Sequence, residues 1–277
     1  MAKNVYLNNG ATDWALDASW NDGVGGATTV PVDTDAVFIT EGSANVTGNV
    51  AGQTAIDLGA CNVTRGFSGN IGGPTAPLTI AVNTTSPTTF NYGPGAGLLY
   101  LVAGTSGIVT FKSTGAGHAY LNGGAFTNIH VFSGQVTIND QVDLSSSTVH
   151  VYGGTVSIDY KADGTPPTII QWGGTVVLRR RPTAYTLHDG TFIFELVKTV
   201  TAAATITQNG GKFDLRAGNI TTYNANAGTY TAANVVRNLT IATTNVAATR
   251  AEALQGRAAL VTYTSVVPSG ASDSWPD

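Results

Sequence analysis

Charge is what this chain most lacks. Only 11% of its residues are Asp, Glu, Lys or Arg, against about 25% in an ordinary soluble domain. Thirteen basic residues against 17 acidic ones give a net charge of −4, which excludes the basic footprint of a nucleic-acid interface. A single cysteine, Cys61, excludes an intrachain disulfide framework and reads as a small buried hydrophobe. No run of about 18 apolar residues occurs, so no membrane partner is expected. The opening MAKNVYLNNG lacks the apolar core of a secretory signal, so synthesis in the cytoplasm without a Sec-type leader is the expectation. There is no nucleophile motif, no His-x-x-x-His and no phosphate-binding glycine loop opening a helix, so neither catalysis nor a cofactor is expected.

What is present is hydrophobic content of 42% over 277 residues, enough for a substantial core, and 34 glycines among many threonines, serines and asparagines. These suit strands and turns better than helices. The glycines are ordered. IHVFSGQVTIN (129–139), VHVYGGTVSID (149–159), IIQWGGTVVLR (169–179), YTLHDGTFIFE (185–195) and ITQNGGKFDLR (206–216) align on Gly134, Gly154, Gly174, Gly190 and Gly211, at spacings of 20, 20, 16 and 21 residues. Repetition of β-branched residues at such a period is the signature of a solenoid.

Two residues past each glycine stand Val136, Val156, Val176, Phe192 and Phe213, and four past it Ile138, Ile158, Leu178, Phe194 and Leu215. That alternation predicts a strand with one face inward. A second strand before the glycine begins at Ile129, Val149, Ile169, Tyr185 and Ile206. Stacked in parallel coil on coil, such strands make an all-β parallel β-helix.

Stacking turns equivalent positions into ladders about 4.8 Å apart. Five residues past the glycine the series Asn139, Asp159, Arg179, Glu195, Arg216 predicts an outer charge ladder that sets the register. The alternative for Asp159 and Glu195 is an acid/base carboxylate pair. Two coils would separate them by about 9–10 Å, near the upper limit for inverting glycoside hydrolysis, with Arg179 holding both ionised. Two residues before the glycine, Phe132, Tyr152, Trp172 and His188 form a second ladder, facing outward or lying at the corner. Its readings are corner packing, an interface with a neighbouring subunit, or stacking on the sugar rings of a glycan. His130 and His150 align as stacked surface histidines, with no carboxylate or cysteine in their row to suggest a metal. Arg179, Arg180 and Arg181 before Pro182 mark a coil-to-loop transition.

Upstream, LNGGAFTNI (121–129) and TSGIVTFKS (105–113) carry weaker versions of the repeat, and 66–104 is rich in breakers. The expected divisions are an N-terminal cap with first strands (1–65), loop-rich early coils (66–104), β-helix repeats (105–231) and a C-terminal cap and tail (232–277). AATRAEALQGRAAL (247–260) is the only helix-like window, suited to covering an open solenoid end, and Trp275 in the polar tail is a candidate docking residue.

NVYLNNGATDWALDASWNDG, followed by VPVDTDAVFIT, resembles the Trp…Trp, Val-Pro, Asp-x-Val-x-Ile opening of β-solenoid surface modules of bacterial adhesins and structural proteins of tailed phages. GFSGNIGGPTAPLTI (66–80) is similar to the phage versions. Together these stretches cover about a quarter of the chain. Trp14, Trp20, Pro31, Asp33, Asp35, Val37 and Ile39 carry the motif. The tryptophans would cover the first coil, Pro31 would set a turn, and Asp33 or Asp35 would accept backbone N–H groups there. Calcium at the two aspartates is the alternative, though two carboxylates under-fill its shell. The resemblance implies a non-enzymatic virion protein on the capsid exterior, of the decoration or cement type, acting as a homotrimer on the major capsid protein. A receptor- or carbohydrate-binding tail fibre or spike, or an adhesin module holding a surface glycan, is the alternative.

Overall fold

The computed structural model describes residues 4–8, 11, 14, 19–23, 30–32, 35–42, 45–46, 60–81, 88–92, 97–105, 107–113, 118–145, 147–159, 167–196, 204–235, 238–247 and 261–269. The chain is a parallel β-solenoid. Its first strands are β1 (Asn4–Leu7), β2 (Trp20–Asn21), β3 (Ala36–Gly42), β4 (Ala60–Phe67), β5 (Leu78–Ala81), β6 (Thr88–Tyr92), β7 (Leu98–Thr105) and β8 (Gly107–Ser113). The regular coils hold β9 (His118–Val131), β10 (Gln135–Ile138), β11 (Val142–Asp143), β12 (Thr148–Val151), β13 (Thr155–Ile158), β14 (Thr168–Gln171), β15 (Thr175–Leu178), β16 (Ala184–Leu187), β17 (Thr191–Glu195), β18 (Thr205–Gln208) and β19 (Lys212–Ala217). β20 (Ile220–Ala225), β21 (Thr229–Thr231), β22 (Leu239–Ala247), β23 (Val261–Tyr263) and β24 (Val266–Ser269) follow.

Two parallel sheets run up the rod. The front sheet stacks β1, β3, β4, β6, β8, the end of β9, β12, β14, β16, β18, β20 and β22, which β23 and β24 continue. The back sheet stacks β5, β7, the start of β9, β10, β13, β15, β17, β19 and β21. From β9 to β21 a tight glycine corner, at Gly134, Gly154, Gly174, Gly190, Gly211 and Gly228, joins each front strand to the back strand of its coil. Between the sheets the aligned valines and isoleucines close the core, with Val149, Val151, Val156 and Ile158 all fully buried. In the upper coils aromatics replace them, as in the Tyr185, Phe192 and Phe213 stack, with successive ring centroids 3.6 and 5.0 Å apart.

The parallel pairing is not confined to 105–231. It begins at Asn4 beside Ala36 and continues through β22 to Ser269, because front-strand positions need only alternate, not repeat at a constant interval. The upstream glycines also sit elsewhere than the alignment suggests. Gly124, with φ of 80°, turns β9 from the back sheet to the front, and Gly107 opens a front strand. Both therefore belong to the coil's other side, opposite the corner of the aligned repeats. The helix expected over 247–260 lies outside the described residues except for Ala247, which ends β22. Trp275 and Asp33 also lie outside them.

Candidate functional site: the front face and its corner ladder

The residue before each glycine pair leaves the front strand and enters the corner, and its side chain points outward. Phe132, Tyr152 and Trp172 are 43, 38 and 40% exposed. Their rings lie nearly parallel, with Phe132–Tyr152 centroids at 4.5 Å and 10°, Tyr152–Trp172 at 4.8 Å and 4°, and Trp172–His188 at 5.7 Å and 9°. Below them Lys112 places its ammonium 5.5 Å from the Phe132 centroid. Register carries the same column down through Asn91, Asn62, Phe38 and Tyr6. The Asn91 amide donates to Asn62 at 2.6 Å, and Tyr6 stacks on Phe38 at 5.0 Å. Above it, Asn226 donates to Asn209 at 2.9 Å. Unequal coil lengths hide these outer members from any fixed-period alignment.

One column inward on the face, His130 and His150 stack at 4.5 Å and 3°. Burial pulls both below the ordinary histidine value, and the charge of His130 pulls His150 further. Parallel rings direct their nitrogens side by side rather than toward a common point. Among the described residues no group of three or more His, Cys, Asp or Glu is placed to hold a metal.

The charge ladder occupies the far end of the back strands. Arg179 lies 3.3 Å from Asp159 and 3.5 Å from Glu195, and its Nη1 donates to Ser157 Oγ at 2.9 Å. The side chains are more than a third exposed, so each pair is worth about 0–1 kcal/mol. Arg216 is not the next rung. A bulge after Phe194 pairs Glu195 with Ala217 and leaves Arg216 out of register, so its guanidinium turns to its own strand and binds Asp214 at 3.1 Å. Glu195, Arg216, Ala217 and Asn234 then line an open surface hollow.

The arginine run is three separate things. Arg179 is the ion-pair bridge. Arg180 is buried, and its Nη2, Nη1 and Nε donate to the carbonyls of Asn139, Val142 and Asp159 at 3.0, 3.0 and 3.2 Å. Burial lowers its affinity for its proton, opposed by Asp140, Asp143 and Asp159. Arg181 Nε has no partner. At the N-terminal end Trp14 and Trp20 are buried edge to face at 4.7 Å, with Trp20 Nε1 donating to the Trp14 carbonyl at 2.8 Å. Pro31 is buried, and Asp35 Oδ2 accepts the Val32 N–H at 3.0 Å.

Compared with known protein families, with curated proteins and with solved structures, the chain finds no match.

Sequence reasoning missed one internal device. Gln171 and Gln208 occupy inward positions and are fully buried. Gln208 Nε2 donates to the carbonyls of Gly211 and Thr229 at 3.1 and 2.9 Å, while Tyr223 donates to its Oε1 at 2.5 Å. Gln171 repeats the arrangement with Gly173, Gly174, Thr191 and Tyr185. A glutamine three residues before the glycine, followed by an inward tyrosine one coil later, is the signal that was available.

Cys61 is fully buried, and burial pushes its thiol up to about 12. At about pH 8 the thiolate fraction is then on the order of 10⁻⁴. Iodoacetamide is expected to leave the folded chain unlabelled and to label it in strong denaturant. Rapid labelling of the folded chain would contradict this burial.

Proposed function

We propose that this chain is a non-enzymatic structural protein of a tailed-phage virion that decorates and cements the capsid exterior. It is made in the host cytoplasm and docks on the major capsid protein by one end of the rod. The observation that carries the reading is the contrast between the faces. Among the described residues the charges of the ladder and arginine run are engaged in structure: Arg179 bridges Asp159 and Glu195, Arg180 staples coils, and Arg216 holds Asp214. The front face offers instead a broad strip of aromatic and amide side chains, the composition of a contact surface. The resemblance of residues 66–80 to phage solenoid modules supports the same reading, while that of 4–23 and 30–40 is shared with bacterial adhesins.

The carbohydrate alternative gains less from the ladder. Sugar rings stack on the faces of aromatic rings, but here the rings cover one another's faces at 4.5–5.7 Å and Lys112 covers the lower end. Ring edges are what remain exposed.

Particles produced without the chain are expected to assemble, then to release their genome at a lower temperature than complete particles. Adding back the purified chain should restore the difference by mass action. If the chain is missing from purified particles, or if its removal leaves their heat resistance unchanged, this reading fails.

A further inference from the structure

Docking on the capsid by one end of the rod leaves the front face from β8 to β20 open to a further partner. Its outward-side positions in the strands and corner ladder are Ile108, Thr110 (itself buried among its neighbours) and Lys112, then Asn128, His130 and Phe132, and so upward to Thr222, Asn224 and Asn226. No carboxylate stands among them, and Lys112 is the single permanent charge. Asp189, at the corner beside His188, turns its Oδ1 to the Gly190 N–H at 2.7 Å. Depletion of charge with enrichment of aromatics is what distinguishes the buried centre of a protein interface.

The shape fits a ribbed surface. The aromatic column and the His130–His150–Ile170 column stand two residues apart along the strands, about 7 Å. The two columns abut, with His150 ring centroids 6.4 Å from Tyr152 and 5.7 Å from Trp172 and the planes within 11° of parallel, so ring edges form a continuous ribbed surface. Ring edges carry the positive end of the aromatic quadrupole and settle against ring faces, carbonyl oxygens and apolar side chains. A like surface supplies such partners, as in the dry interfaces between stacked sheets.

We infer that this face docks a second copy of the same chain, front sheet against front sheet. The inference rests on the structural-protein reading above and names a partner for its aromatic face. Charge favours self over a charged partner: two copies oppose no acidic groups, whereas an acidic protein would find Lys112 alone. Area suffices. Seven strands at about 4.8 Å, each about 20 Å wide at six residues, give roughly 600 Å² per copy, or about 1,200 Å² in total, the lower end for a stable interface. Burial holds His130 and His150 on this face below the ordinary histidine value, so both are neutral at about pH 7.5. Once acidification reaches their lowered values, protonation would place two cations 4.5 Å apart on a face that already carries Lys112. Association is therefore expected to weaken as the pH falls.

The test is light scattering on the purified chain across a concentration series, at about pH 7.5 and about pH 5, with circular dichroism to verify folding. A mass at least twice 28.4 kDa at neutral pH is expected. Trp172→Ala and Tyr152→Arg should each raise the dissociation constant about tenfold or more, and Thr155→Arg on the exposed back sheet should leave it unchanged. Acidification should also raise it. A monomer throughout, association indifferent to both front-face variants, or association that strengthens at about pH 5 would each overturn the proposal. The particle experiment separates the two readings: a chain that self-associates through this face yet is absent from virions removes only the capsid assignment, and a monomer that cements heads removes only this one.

Discussion

Replacing Arg180 by alanine is expected to cost about 3–5 kcal/mol, because three carbonyls lose their donor at about 1–3 kcal/mol each, offset in part by relief of burying the charge. The side chain is 4% exposed and donates to three carbonyls on two lower coils. Its loss strands those acceptors. Arg180→Lys should recover only part of the stability, because one ammonium cannot reproduce a guanidinium fork reaching Asn139, Val142 and Asp159 together. The neighbouring Arg179→Ala, which breaks two exposed ion pairs, is expected to cost no more than about 1 kcal/mol. Urea denaturation measures the differences. Because a solenoid can open coil by coil, hydrogen exchange over residues 135–180 should show where the loss falls. Equal costs for the two arginines would refute the stapling role.

The second large effect is at Gly174. Its φ of 71° lies in the left-handed region, which costs an L-residue about 1–2 kcal/mol. A methyl group there would also press on the backbone of the coil below, 2.7 Å from the Gly153 carbonyl carbon and 2.9 Å from the Gly154 nitrogen. Overpacking of that kind adds about 1–3 kcal/mol. Gly174→Ala is therefore expected to destabilise by about 2–5 kcal/mol. Gly73→Ala, where nothing lies within 4 Å of the added carbon, should change stability by no more than about 0.5 kcal/mol. Equal melting temperatures for the two variants would mean that the corner can widen, and the close stacking of coils would have to be reconsidered.

Both predictions concern features of different legibility. Gly174 could be read from the sequence, because every aligned repeat has a glycine there and a recurring glycine at a strand turn signals a positive φ. Arg180 could not. In sequence it is the middle of three arginines, and only the return path of the chain decides that Arg179 faces outward, Arg180 inward and Arg181 neither. The same limit applies to Arg216, whose place in a charge ladder follows from counting but is cancelled by one bulged residue at the Glu195 level.

The amino-acid order alone determined the coil. Period-two alternation and glycines at near-constant intervals leave a stacked parallel strand pair as the arrangement that buries one face of every strand, and the ladder of Phe132, Tyr152, Trp172 and His188 follows from that register. Tertiary structure decided whatever depends on how unequal coils are brought level. The continuation of the ladder through Lys112, Asn91, Asn62, Phe38 and Tyr6, the pairing of buried glutamines with tyrosines one coil away, and the carbonyl staple of Arg180 all join residues at irregular separations. The physical reason is that stacking energy depends on height along the axis, and loops of any length can bring two residues to the same height.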